Sequence, residues 1–134
     1  DLGLIPAAIE ESLRFRSPTQ YMARTTTRDV ELHGETIPKG SKVALLIGAG
    51  NHDPRKFDEP GRFDISRVIE RPLAFGFGPH VCLGQRVANM QLESAYRQIL
   101  ARFPNAEWTG DIAITPNNFV HAIARLGVDL GMRP

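Results

Sequence analysis

Residues 48–81 hold much of the glycine and proline of this 134-residue chain and show no sustained hydrophobic period. A stretch of about 30 residues without regular structure is uncommon in a compact domain, and is usually either functional or disordered. Its aromatic residues argue against disorder, because Phe57, Phe63, Phe75 and Phe77 call for burial. The stretch is therefore an ordered coil that must pack on the elements flanking it. Before it, the pattern predicts a helix over about 6–15. Pro6 suits a first helical position, Ile9, Leu13 and Phe15 give a rough apolar face, and Ser17-Pro18 ends it. Residues 20–47 read as short strands divided by glycine and proline turns, a small antiparallel sheet. After the coil, residues 83–103 form the clearest helix. Val87, Met90, Gln91, Ser94, Ile99 and Phe103 fall near one face, and Pro104 stops it. The last thirty residues return to short strands, with Pro116-Asn117-Asn118 as a turn. Helix, small sheet, coil, long helix and small sheet make an α+β chain.

The length suits one domain. Apolar residues are 42% and charged residues 23%, as in a globular protein. Sixteen basic against fifteen acidic residues leave a formal charge of +1, which gives no footprint for nucleic acid or a membrane surface. No apolar run approaches the ~20 residues that span a bilayer. A single cysteine excludes an internal disulfide and points to a reducing, cytoplasmic setting. The chain begins Asp1-Leu2-Gly3, without an initiator methionine or a signal peptide, so further residues are expected to precede it in a parent protein.

That cysteine, Cys82, lies in Phe75-Gly76-Phe77-Gly78-Pro79-His80-Val81-Cys82-Leu83-Gly84, immediately before the long helix. A lone cysteine is most often a small buried hydrophobe. Here three glycines flank it, and N–H groups at a helix start stabilise negative charge. Glycines also let the main chain approach a large flat ligand. Zinc or an iron–sulfur cluster needs more cysteine or clustered histidine, whereas His33, His52, His80 and His121 are scattered. A Cys-His nucleophile is conceivable with His80, but side chains two apart do not readily face each other and no orienting acid is evident. No lysine follows in phosphate-loop spacing. An axial thiolate for haem iron needs one cysteine, close backbone approach and apolar cover, and all three are present.

The run resembles the haem-binding loop of the cytochrome P450 family, the haem-thiolate monooxygenases, with its pattern Phe-x-x-Gly-x-(His or Arg)-x-Cys-x-Gly. Glu11-Ser12-Leu13-Arg14 is similar to the family's Glu-x-x-Arg motif, about seventy residues before the thiolate. Asn51-His52-Asp53-Pro54 and the run Phe57 to Asp64 resemble the coil of soluble bacterial members, with His52 where arginine is common. The likeness extends from near residue 6 to near residue 130 and covers the C-terminal part of that fold: K helix, small β sheets, meander coil, cysteine-ligand loop and L helix. The full parent would be mainly α. Residues 1–134 would then be the C-terminal haem-binding portion of a single domain, with the oxygen-activating central helix upstream of Asp1. No catalytic residue is assigned within this segment, and the chain alone is expected to be incomplete and inactive.

The resemblance implies roles residue by residue. Cys82 is the axial ligand of iron in haem b (iron protoporphyrin IX), and its thiolate favours O–O cleavage. Phe75 covers the sulfur, while Gly76, Gly78 and Gly84 permit the tight loop and close approach of the haem. His80 and Arg24 hold the haem propionates. Glu11, Arg14 and Arg62 form a buried structural charge cluster. Thr19, Gln20, Phe119 and Val120 are candidate substrate contacts. Arg86, Arg97 and Arg102 are candidate proximal-face contacts for a ferredoxin- or flavodoxin-type donor, itself reduced by NAD(P)H. The implied function is insertion of one atom of molecular oxygen into a small apolar organic substrate. A non-catalytic truncated haem-binding remnant of the same fold is the alternative, and a cysteine-dependent hydrolase or transferase is a third class.

Overall fold

The computed structural model describes residues 1–70, 72–117 and 119–131. A short 3-10 turn, Leu2–Leu4, leads into helix α1, Ile5–Phe15. Pro6 sits in the first turn of α1, where its missing N–H costs nothing. The helix ends at Arg16 (φ −137°, ψ 65°), ahead of Ser17-Pro18.

Strands β1 (Met22–Thr25) and β4 (Lys42–Leu45) pair antiparallel, with Arg24 opposite Val43. Between them β2 (Val30–Leu32) and β3 (Glu35–Ile37) form a separate hairpin. Its two turn residues, His33 and Gly34, both have positive φ, 52° and 85°. That pairing matches the twist of the strands it joins. Helix α2, Ile47–Gly50, is a single turn, and the coil follows it. Two 3-10 turns, Leu73–Phe75 and Gly78–His80, punctuate the approach to helix α3, Gln85–Arg102. Strands β5 (Glu107–Ile114) and β6 (Ile123–Asp129) close the chain as a two-stranded antiparallel sheet with register shifts. The fragments of strand read from the sequence after Pro104 are thus one longer pair. Asn118, expected in the connecting turn, lies outside the described residues.

The interior is centred on α1. Ile5 and Ile9 are its buried apolar side chains, and Glu11 and Arg14 are buried beside them. Helix α3 buries none of its side chains; Val87, Met90, Tyr96, Ile99 and Leu100 are all exposed. The chain presents 10318 Å² of accessible surface. A compact monomer of 14.8 kDa exposes only about 7,000 Å². Two of the aromatics expected to be buried are open: Phe63 is 48% exposed and Phe77 is 67% exposed. Phe63 rests edge-on against Phe15, with ring centroids 5.6 Å apart. Phe77 lines an open cavity described below. Among the described residues no helix is long and apolar enough to cross a membrane.

Candidate functional site

Two constructions define the site: a buried charge cluster that fixes the coil, and the loop that carries Cys82. The cluster begins with Glu11 and Arg14, one helical turn apart on α1. Arg14 is 0% exposed, and every N–H of its guanidinium is used. Nε donates to Glu11 Oε2 at 2.6 Å, and Nη2 to Glu11 Oε1 at 2.8 Å. The remaining donors reach the coil, at the carbonyls of Asn51 (2.9 Å), Pro60 (2.9 Å) and Arg62 (3.1 Å). Phe57 covers the guanidinium face, its ring centroid 5.2 Å away. A buried bidentate pair with its other hydrogen bonds satisfied avoids the cost of stranded charge.

The third member of the cluster is Arg67, not Arg62. The Arg62 guanidinium is 63% exposed and pairs with Glu59 at 3.1 Å and Asp64 at 3.7 Å. Only its backbone carbonyl faces α1. The cause is local: Glu59 takes a positive φ of 42°, and Arg62 N–H donates back to Glu59 O, turning the Arg62 side chain outward. Asp64 then accepts from Ser66 N–H and Oγ, a tight turn that brings Arg67 back. Arg67 Nε lies 3.5 Å from Glu11 Oε1, and its Nη2 donates to Glu59 O at 2.9 Å. Glu11 Oε1 also accepts from Asp64 N–H at 2.8 Å. Burial alone would raise the Glu11 carboxyl. The Arg14 and Asp64 hydrogen bonds and the charges of Arg14 and Arg67 outweigh it and hold the group below its ordinary value. The sequence offered one missed signal for Arg67, a cation three residues after a turn-forming aspartate.

The Cys82 loop is closed by its own main chain. Gly76 N–H donates to Leu73 O at 2.8 Å, Val81 N–H to Gly78 O at 3.1 Å, and Cys82 N–H to Phe75 O at 2.8 Å. Gly76 has φ 77°, and a Cβ there would lie only 3.0 Å from His80 O, so a side chain is disfavoured by both conformation and crowding. Gly78, at φ 65°, also needs the left-handed region. Gly84 does not. Its φ is −82°, and an added Cβ would meet only Cys82 Sγ at 3.8 Å. The positive-φ positions of the loop are therefore Gly76 and Gly78, while Gly84 has a backbone conformation open to other residues. Phe75 meets Cys82 through its carbonyl. Cys82 is exposed, and α3 starts just beyond it with no side-chain cap at Gly84.

Arg24, on β1, and His80, on the second 3-10 turn, line one cavity of about 500 Å³. Its other walls are Met22, Leu45, Leu46, Ile47, Leu73, Gly76 and Phe77, and it has no acidic residue. A comparable cavity of about 530 Å³ lies behind the loop. There, among the described residues, Glu10 Oε2 and Asn89 Oδ1 find no hydrogen-bond partner, and burial pushes the Glu10 carboxyl up. The four candidate substrate contacts are brought together: Thr19 bridges Val120, and Gln20 N–H approaches Phe119 O at 3.5 Å. Of the proximal arginines, Arg97 is engaged with Glu93 at 2.8 Å. Among the described residues no three His, Cys, Asp or Glu side chains gather to hold a metal ion. A planar iron macrocycle with two carboxylates fits what is present: an exposed thiol, apolar walls, and a guanidinium and an imidazole in one acid-free cavity.

Comparison with known proteins points the same way. The family model for cytochrome P450 matches residues 1–121. A cytochrome P450 from Rhodopseudomonas palustris, CYP199A2, is 40% identical over 130 residues, covering 97% of this chain and 32% of the relative. Steroid C26-monooxygenase of Mycobacterium tuberculosis (strain H37Rv) is 38% identical over 131 residues, covering 96% of this chain and 33% of the relative. The crystal structure of P450BioI in complex with an acyl carrier protein bearing hexadec-9Z-enoic acid superposes with a TM-score of 0.92 at 39% identity, over 96% of this chain and 34% of that one. The chain thus spans about a third of the length of the relatives it matches.

Proposed function

This chain belongs to the cytochrome P450 family, and on that footing we propose that residues 1–134 are the C-terminal, haem-binding portion of a haem-thiolate monooxygenase. The observation that carries the proposal is an exposed thiol at the uncapped start of α3, in a loop that shares Gly76, Phe77 and His80 with the acid-free Arg24 cavity. In this reading Cys82 Sγ ligates iron, Arg24 and His80 hold the two propionates, and the Leu45–Ile47 segment supplies apolar wall. Haem b, when bound, supplies activation of molecular oxygen with two electrons and insertion of one oxygen atom into a substrate.

The work of this chain is binding, orientation and exclusion of water. Gly76 and Gly78 hold the loop in a shape that presents Cys82, and Phe75 covers the sulfur and excludes water. Glu11, Arg14 and Arg67 lock the coil beneath it. Thr19, Gln20, Phe119 and Val120 form one wall of the pocket for a small apolar substrate, in keeping with relatives named for steroid oxidation. Electrons pass from NAD(P)H through a ferredoxin- or flavodoxin-type donor, with Arg86 and Arg102 as its contacts on this chain. Oxygen-activating residues belong to a preceding segment, and the chain alone is inactive. The roughly 3,300 Å² of surface in excess of a compact monomer, together with the unburied α3, supports a larger domain around it.

The test uses the longer protein with a reducing partner under isotopically labelled dioxygen. One labelled atom in the organic product and none in the Cys82→Ser product pool is the expected result. Two labelled atoms in the product, or turnover unaffected by Cys82→Ser, would refute the proposal.

A further inference from the structure

The side chain of Asn51 has no part in the roles assigned above, yet it is completely buried. Both ends of its amide are committed. Nδ2 donates to Ser17 Oγ at 2.7 Å, and Oδ1 accepts from Leu73 N–H at 3.0 Å. The orientation of the amide is dictated by its neighbours. Leu73 N–H can only donate, and Ser17 Oγ already gives its proton to Leu13 O at 2.9 Å. The Asn51 carbonyl meanwhile takes one Arg14 N–H. One residue therefore joins the end of α1, the buried guanidinium and the first residue of the turn that opens the Cys82 loop.

From Leu73 the connection to Cys82 is short. Leu73 O accepts from Gly76 N–H, and Phe75 O, in the same turn, accepts from Cys82 N–H, both at 2.8 Å. The turn is also pressed onto α2, where a Cβ on Gly50 would lie 2.7 Å from Leu73 Cδ1. We propose that Asn51 is a positioning residue for Cys82, setting the placement of the thiol through the Leu73–Phe75 turn. The spectroscopic consequence rests on the haem-thiolate reading above; the consequence for the loop itself does not.

The test compares Asn51→Leu with Ser17→Ala in the longer, haem-loaded protein. Asn51→Leu removes the Leu73 acceptor. Ser17→Ala strands the other end of the same amide and leaves that acceptor in place, so it controls for lost stability. Amide hydrogen exchange at Leu73 and Cys82 is expected to be about tenfold faster in Asn51→Leu and unchanged in Ser17→Ala. The reduced carbon-monoxide complex of Asn51→Leu is expected to lose part of its red-shifted Soret band, with that of Ser17→Ala intact. Equal stability loss in both variants, with exchange and spectrum unmoved, would overturn the proposal and leave Asn51 as scaffold. If Asn51→Leu does not fold, Asn51→Asp keeps an acceptor for Leu73, and its loss of the band with Leu73 still protected would likewise overturn it. A parent protein without the red-shifted band, but with the expected exchange pattern, would sink the haem reading and sustain the coupling of Asn51 to Cys82.

Discussion

Replacing Arg67 by methionine is expected to damage the protein, whereas the same change at Arg62 is not. The Arg67 side chain is only 13% exposed; it stands 3.5 Å from Glu11 and holds the Glu59 carbonyl. Arg67→Met strips a charge-assisted donor from that carbonyl and one counter-charge from a buried carboxylate, a loss of about 1.5–3 kcal/mol. Arg62→Met leaves the backbone carbonyl that Arg14 uses and removes only the two ion pairs of an exposed guanidinium, with Glu59 and Asp64, so the change stays within about 0.5 kcal/mol. Glu11→Gln sets the upper mark. It neutralises the main counter-ion of a fully buried guanidinium and sets an amide N–H against an arginine N–H, at a cost of about 3–5 kcal/mol. Against a total stability of roughly 5–15 kcal/mol that is a large fraction. Urea midpoints of the longer, haem-loaded protein, at common slope, read these differences. A double-mutant cycle adds a sharper criterion. Glu11→Gln with Arg67→Met should be non-additive by more than about 0.5 kcal/mol, and Glu11→Gln with Arg62→Met additive. Equal losses from Arg62→Met and Arg67→Met, or coupling of Glu11 to Arg62 alone, would refute the assignment of the cluster.

Two further outcomes follow from the same geometry. Glu11, held below its ordinary value of 4.5, gives stability that is complete above that value and lost as pH falls through the lowered one; Glu10, raised by burial, gives stability that is complete below the ordinary value and lost as pH rises through the raised one. Urea midpoints against pH should therefore lose part of their acid fall in Glu11→Gln, while Glu10→Gln should gain stability at neutral pH; the reverse pattern would contradict both. Arg24→Ala and His80→Ala should each speed haem transfer to an acceptor apoprotein by roughly tenfold or more, as loss of a charge-assisted contact implies. Unchanged transfer rates in both would remove them from the cavity's function.

Much of the fold was legible because its signals are local. Pro6 and Ser17-Pro18 bracket α1, Pro104 follows α3, and the glycine and proline turns divide the strands. The Cys82 loop was legible for the same reason, since ten consecutive residues, Phe75 to Gly84, carry it. The cluster was legible only in part. Glu11 and Arg14 share a helix face by spacing alone, but the third cation depends on how an aperiodic coil turns. A positive φ at Glu59 and the Asp64–Ser66 turn decide between Arg62 and Arg67, and neither is written in hydrophobic pattern. Asn51 is visible in the sequence as the head of Asn51-His52-Asp53-Pro54, but its use of both amide ends is a tertiary fact spanning residues 17, 51 and 73. Phe63 and Phe77 are open although both are large and apolar, because residue type alone does not decide burial.

The central claim is that Cys82 is a thiolate ligand of haem iron. The reduced, carbon-monoxide-bound absorption spectrum of the longer protein tests it most directly, with Cys82→Ser beside it. A strongly red-shifted Soret band that disappears in Cys82→Ser is the expected result. A band at the position typical of histidine or neutral-thiol ligation in the unmodified protein, or a red-shifted band that survives in Cys82→Ser, would contradict it.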